Sequence, residues 1–306
     1  MFASFLTAIL FSISVVCGHR SAKLIGGTEA NFWRLTFAAA FLAVWAYGFG
    51  SGLSGEAFPV FLLSGLVGIG VGDVALFQAL PRLGSRISLL LIQCLTAPLG
   101  ALIEWIWLGT ALSGWQIACG LTILAGVGIA LTPGEHLKLS RRELAVGTVF
   151  SLLAALGGAY GAVLSRKAYA IVHASRHPVD GGTAAFQRIV GGLFLAAICL
   201  LVVKRRELRI QAGAPPELVL EASKRKWRGV WAWVLGNSLA GQTVGVSCMQ
   251  WALETTPTGV VLAIIAMTPI VVIPFALVVE GERPTASSLV GGAIAVAGGI
   301  GLTLVR

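Results

Sequence analysis

Charged positions divide the chain into long apolar stretches joined by short polar connections. Residues 1–18, 35–55, 57–72, 87–103, 105–134, 144–165, 189–203, 229–253, 255–279 and 284–305 hold no Asp, Glu, Lys or Arg. An α-helix needs about 20 residues to cross about 30 Å of hydrocarbon. Most of these stretches approach or exceed that length, and the shorter ones can extend into their flanks. Stretches such as "VVLAIIAMTPIVVIPFALVV" at 260–279 are apolar on every face and show no period-2 alternation. In lipid each backbone N–H and C=O must be satisfied within the protein, so such stretches predict spanning helices and not barrel strands. The expected fold is an all-α integral membrane protein with ten transmembrane helices. Residues 1–18 count as the first: "MFASFL" lacks the basic start of a secretory signal, and "SVVC" at 14–17 lacks the small residue a lipoprotein cleavage site places before cysteine.

Composition agrees, with 57% hydrophobic and 11% charged residues and a mean hydropathy of +0.88, outside the range of ordinary soluble domains. The five cysteines, Cys17, Cys94, Cys119, Cys199 and Cys248, stand singly within apolar stretches, a spacing that suits packing and neither a disulfide framework nor a zinc site. His173 and His177 are four apart, but Pro178 follows and no third ligand is near, so "HASRHPVD" reads as a solvated loop with no metal. The HExxH, GxxxxGK[ST] and GxSxG patterns do not occur. No catalytic residue and no cofactor is expected.

The sequence also repeats itself. "GGTEANFWRL" at 26–35 returns as "GGTAAFQRI" at 181–189, and each copy is followed by a threonine-proline landmark, "LTAP" at 95–98 and "MTP" at 267–269. The longer spacing in the second copy is taken up by the basic insert at 204–228. Each half therefore holds five predicted helices, over 2–132 and 145–305. An odd number per copy sends the second copy into the membrane from the opposite side, giving inverted repeats. Gly26–Gly27 and Gly181–Gly182 read as turns, with Thr28 and Thr183 as helix N-caps.

On these features the chain resembles the EamA family of the drug/metabolite transporter superfamily. The resemblance rests on the paired halves, on Arg34 and Arg188 early in the second helix of each, and on "GIGVGDVALFQALPRLGSRISLLL" at 68–91. The two prolines and "EGERPT" at 280–285 complete it. The Gly-Glu expected after the fourth helix of a half is met by Gly281 and Glu282, while the first half reads "WLGTALS" at 107–113 without the acid. The resemblance implies a gradient-driven secondary transporter, probing two faces of the cytoplasmic (inner) membrane by alternating access. Its implied cargo is a small metabolite, such as an exported amino acid or related amphipathic solute. The competing reading is a membrane-embedded enzyme or lipid-handling protein, which would pair Asp73 with a histidine or a second carboxylate.

Polar residues inside apolar stretches are the site candidates. Asp73 falls deep in the third helix, where charge costs about 2.5 kcal/mol or more. It either binds a cationic group, carries a coupling proton, or pins a neighbouring helix by hydrogen bonding. Gly68 and Gly72 precede it at GxxxG spacing, which suits close helix packing. Asn237, Gln242 and Gln250 lie on or near the matching helix of the second half, with Gln78 as the counterpart of Gln250. They suit either a solute pathway or interhelical hydrogen bonds. Tyr160, in "GGAYGAV", sits among small residues where a ligand or a helix neighbour can approach. Arg34 and Arg188 either snorkel to headgroups or act as paired gate or anchoring groups. Glu104, beside Trp105 and Trp107, reads as a carboxylate reaching headgroups from an aromatic belt.

Sixteen Lys and Arg residues fall in the connections after helices one, three, five, seven and nine, against four on the other side. The positive-inside rule then places both termini outside and the insert in the cytoplasm. The net charge of +9 is read as topology plus attraction to anionic lipid, with no nucleic-acid partner.

Overall fold

The computed structural model describes residues 1–131, 140–175, 178–211, 227, 229–272 and 286–304, apart from the side chains of 77, 80, 81, 84–87 and 206–211. The "EGERPT" motif, His177 and most of the basic insert lie outside these residues. Among the described residues the secondary structure is helical, with no strand. Helix α1 spans Phe2–Ile25 and α2 Gly27–Gly48. Helix α3, Phe58–Gly65, runs into a π-helical segment, π1, Leu66–Val71, and then α4, Gly72–Leu108. Helices α5, Gly114–Leu131, α6, Arg141–Ser175, and α7, Gly181–Gln211, follow. Helix α8, Trp231–Asn237, a second π-helical segment π2, Ser238–Gly245, and α9, Val246–Thr255, again run together. Helices α10, Thr258–Ile265, and α11, Ala286–Leu304, complete the described set.

Among the described residues seven helical stretches are long and apolar enough to span a bilayer. Two of them, Phe58–Leu76 and Ser88–Leu108, lie on the one continuous helical run from α3 through α4. The backbone stays helical through the expected third-to-fourth connection around Arg82.

The packing of the two halves is reciprocal. Segment π1 packs against α6 and α7, the first two helices of the second half, while π2 packs against α1 and α2, the first two of the first. The second helices of the halves pack on each other, α2 on α7, and so do the last, α5 on α11. Small residues permit these approaches. A Cβ added at Gly65 would land on the Arg188 carbonyl, and one at Gly161 would lie 2.7 Å from the Gly68 Cα. Gly157 similarly faces Gly72, so the GxxxG pair of π1 meets a matching pair on α6. Without a hydrophobic driving force between helices in lipid, such backbone proximity and its dispersion contacts are what hold them together. Along α5–α11, Gly126, Gly291 and Gly298 make the same kind of seam.

The expected N-caps are displaced by a few residues. Helix α2 is capped by Gly26, at φ +87°, with no side-chain cap bond, and Thr28 lies inside the helix. Helix α7 begins at Gly181 with Asp180 before it; Asp180 Oδ1 accepts from the N–H groups of Gly182 at 2.8 Å and Thr183 at 3.1 Å. The Thr183 hydroxyl donates to the same carboxylate, and so does the Trp45 indole from α2, at 2.8 Å. A carboxylate takes the cap because it accepts several bonds at once and complements the helix dipole. Partial burial raises its pKa, but the hydrogen bonds from Thr183, Trp45 and Gly182 outweigh this and hold it below the usual carboxylate range. Gly181 and Gly182 are helical here and serve close contact with α9 and with Trp45.

Glu104 corrects another expectation. It is 1% exposed and does not reach toward headgroups. Its Oε1 pairs with Arg166 Nε at 3.0 Å, and its Oε2 accepts from the Thr258 N–H at 2.6 Å. Arg166 Nη1 also donates to the carbonyls of Leu253 at 2.9 Å and Glu254 at 3.0 Å. The last carbonyls of α9 thus receive a cation and the first N–H of α10 a carboxylate, each sign where the dipole favours it.

Removing one partner of a buried pair strands the other. Glu104→Ala should therefore destabilise the purified protein by about 3 kcal/mol or more, read as a fall in its melting temperature in detergent. An unchanged melting temperature would show that the clamp contributes nothing. Gly161→Leu should cost about 1–3 kcal/mol by forcing α6 off π1, while Leu152→Phe on the exposed face of α6 serves as the neutral comparison in the same assay.

Candidate functional site

The helix interruptions and the candidate charges converge on one cavity of about 310 Å³. It lies between α1, α2, π1 with α4, α6, α7, π2 with α9, and α10. Both π-helical segments contribute wall: Gly68 and Ile69 from π1, Gly241 and Gln242 from π2. A π segment inserts an extra residue per turn, and such segments occur frequently at functional sites.

Three ionisable side chains line this cavity: Arg34, Asp73 and Arg188. Arg34 Nη2 donates to Asp73 Oδ2 at 2.6 Å, and Arg34 Nε donates to Asn31 Oδ1 at 2.7 Å on the same helix. The Asn31 bond, one helical turn back, fixes the guanidinium so that its other edge faces Asp73. Asp73 therefore meets an arginine, and not the histidine or second carboxylate an embedded enzyme would pair it with. Arg188 is 3% exposed, and its Nε is buried without a hydrogen-bond partner. Its Nη2 lies 3.2 Å from where a Gly68 Cβ would be, so the missing side chain of π1 makes its room. That burial rules out a snorkelling pose for Arg188.

The other candidates separate. Gln242 lines the cavity with an amide oxygen that has no hydrogen-bond partner. Asn237 is buried behind the wall, where its Oδ1 accepts from the Ser14 hydroxyl at 2.6 Å and joins α8 to α1. Gln250 is fully buried, its amide likewise without a partner among the described residues, and it does not line the cavity. Gln78 is exposed and accepts from Arg82 Nη1 at 3.0 Å, one turn further along. Tyr160 is 40% exposed and stacks on Trp107 at 5.6 Å, with Lys167 Nζ 4.2 Å above the indole. That stack lies outside the cavity wall.

Several lining groups were not singled out from sequence: Ser14, Gln93, Thr96 and Thr268. Two of them had a signal, because Thr96 and Thr268 are the threonines of the "TAP" and "MTP" landmarks. Their hydroxyls donate to the backbone carbonyls of Ile92 and Ile265, each at 2.6 Å. Among the described residues no three His, Cys, Asp or Glu side chains come together as a metal site would require.

The fold has a counterpart among solved structures. One solved structure, described only as "Crystal structure of protein", matches over 98% of this chain and 95% of that one, with a TM-score of 0.75 and 17% identity. At that identity the likeness shows the fold alone. No curated protein matches the sequence. A family model does: that of the EamA-like transporter family, over residues 1–132 and 145–304. With nearly the whole chain covered, the protein belongs to the EamA family of the drug/metabolite transporter superfamily, a family of membrane transporters.

Proposed function

We propose that the protein is a gradient-driven secondary transporter that moves a small metabolite, such as an amino acid or related amphipathic solute, outward across the cytoplasmic membrane. In this reading ten transmembrane helices form two inverted five-helix repeats, and the cavity is the substrate site that opens to each side in turn. The observation that carries the reading is the reciprocal placement of π1 and π2: each interrupts the third helix of its half, each packs on the first two helices of the other, and both face the cavity. Interrupted helices at matching places of two repeats are where transporters of this kind hold their cargo. Arg34 and Arg188 come from matching positions of the repeats and reach the same cavity, which is what a pair of gate or anchoring groups requires. Asp73 is the group proposed to carry a coupling proton, since protonating it would release Arg34 from its ion pair. Gln78, Tyr160, Asn237 and Gln250 stand apart from the cavity and enter this reading only through positions the helices adopt in another state.

Purified protein in proteoliposomes loaded with a metabolite mixture should show saturable flux under an imposed ion gradient. Absence of such flux under every gradient tried would sink the transporter reading. Where flux is found, Asp73→Asn should abolish its dependence on a pH gradient, and a retained dependence would remove Asp73 from that role. Arg34→Ala and Arg188→Ala should each lower transport on the order of tenfold or more. Unaltered kinetics in both variants would leave the arginines as packing groups.

A further inference from the structure

We infer that the substrate is an organic anion whose acid group is bound by Arg188; the inference rests on the transporter reading above and narrows its amphipathic solute to one with a net negative charge. The cavity's charges do not balance. Arg34 and Asp73 neutralise each other across 2.6 Å. Arg188 has no ion pair among the described residues and is 3% exposed, with a buried Nε that nothing accepts from. The wall thus carries one cation in excess, on a side chain almost wholly withdrawn from solvent. Desolvating an ion costs several kcal/mol unless a counter-charge and hydrogen bonds are supplied. A carboxylate supplies both, because its two oxygens match the planar fork of a guanidinium.

The other groups of the wall set the rest of the ligand. Gln242 brings an amide oxygen without a partner, an acceptor for a hydroxyl or N–H elsewhere on the ligand. Val15, Ile69, Leu76, Ile92 and Leu262 are apolar lining for a hydrocarbon portion. A bound ammonium would need a carboxylate of its own, and the one available, Asp73, is already engaged by Arg34. A cationic solute adds like charge to Arg188, and a neutral one leaves its charge without a counter-charge. About 310 Å³ suits a small molecule at the lower end of ordinary ligand sites.

The experiment is equilibrium binding to the purified full-length protein, followed by thermal shift, which rises when a ligand binds the folded state. The probes are 3-phenylpropionate, 3-phenylpropanamide, 3-phenylpropylammonium and L-phenylalanine, which share a ring and differ in headgroup charge. The carboxylate should bind about tenfold or more tightly than each of the other three. Arg188→Gln should erase that preference. Arg188→Lys, which keeps the charge without the fork, should weaken carboxylate binding about tenfold while leaving the ranking. Equal binding of acid and amide, tighter binding of the ammonium or of phenylalanine, or no saturable shift with any probe overturns the inference. So does an unchanged carboxylate affinity in Arg188→Lys, which decides the matter even if Arg188→Gln fails to fold. Because binding is read without transport, missing flux with carboxylate selectivity intact would remove the transporter reading and leave this site. Flux without that selectivity would remove only the site.

Discussion

The contact on which the remaining structure depends is backbone against backbone, where the glycines of π1 and its two flanks lie on α6 and α7. Gly65 abuts the Arg188 carbonyl, Gly68 faces Gly161, and Gly72 faces Gly157. In lipid no water is released from apolar surface when helices meet, so their association rests on how closely they can pack. Side chains at these positions would hold α7 several ångströms away and carry Arg188 with it. The glycines therefore do two things at once. They supply the close approach that joins the halves, and they leave the gap into which the Arg188 guanidinium extends.

Charge burial gives the site its character. Two arginines and one aspartate lining a cavity within an apolar bundle are an expensive set, and the protein offsets the expense unevenly. Arg34 is balanced locally, by Asp73 and by Asn31 one turn back. Arg188 is not. The buried Glu104–Arg166 clamp contrasts with it, since Thr258, Leu253 and Glu254 all bond to the pair. Fully paired networks rigidify, whereas an unpaired buried ion is a standing demand for a partner.

Sequence revealed the architecture better than the contacts. Helical class follows from apolar runs that no strand could carry, and the internal repeat was visible because "GGT…R" and the threonine-proline landmarks recur in order. The charged candidates were legible for the same energetic reason that makes them rare: Arg34, Asp73 and Arg188 stand out in an apolar background, and all three meet at the cavity. Neutral polar residues were not sorted so well. Gln242 and Gln250 share a helix face by spacing, yet one lines the cavity and the other is buried away from it, because Gln242 lies within π2, whose remaining residues shift the register before Gln250. Glu104 was misplaced because its partner Arg166 is 62 residues away, and a carboxylate next to tryptophans looks the same in sequence whether it points at lipid headgroups or into a bundle. Asp180 was missed as the α7 cap because Thr183, three residues on, satisfied the usual pattern.

The reciprocity of the packing bears on how the cavity would change sides in the proposed transport cycle. Each π segment is held by the first two helices of the opposite half, so neither half can move without shifting the other's interrupted helix. The interrupted helices are where such movement would be taken up, since π segments are frequent at functional sites. The satisfied clamp at Glu104 sits where α9 passes into α10, at the end of the helix that π2 interrupts. Motion taken up at π2 is therefore opposed at one end of its helix by an ion pair and, at the other, by the Asn237–Ser14 bond to α1. In the proposed cycle the wall between those two fixed points, which carries Gln242, is the one that would be displaced.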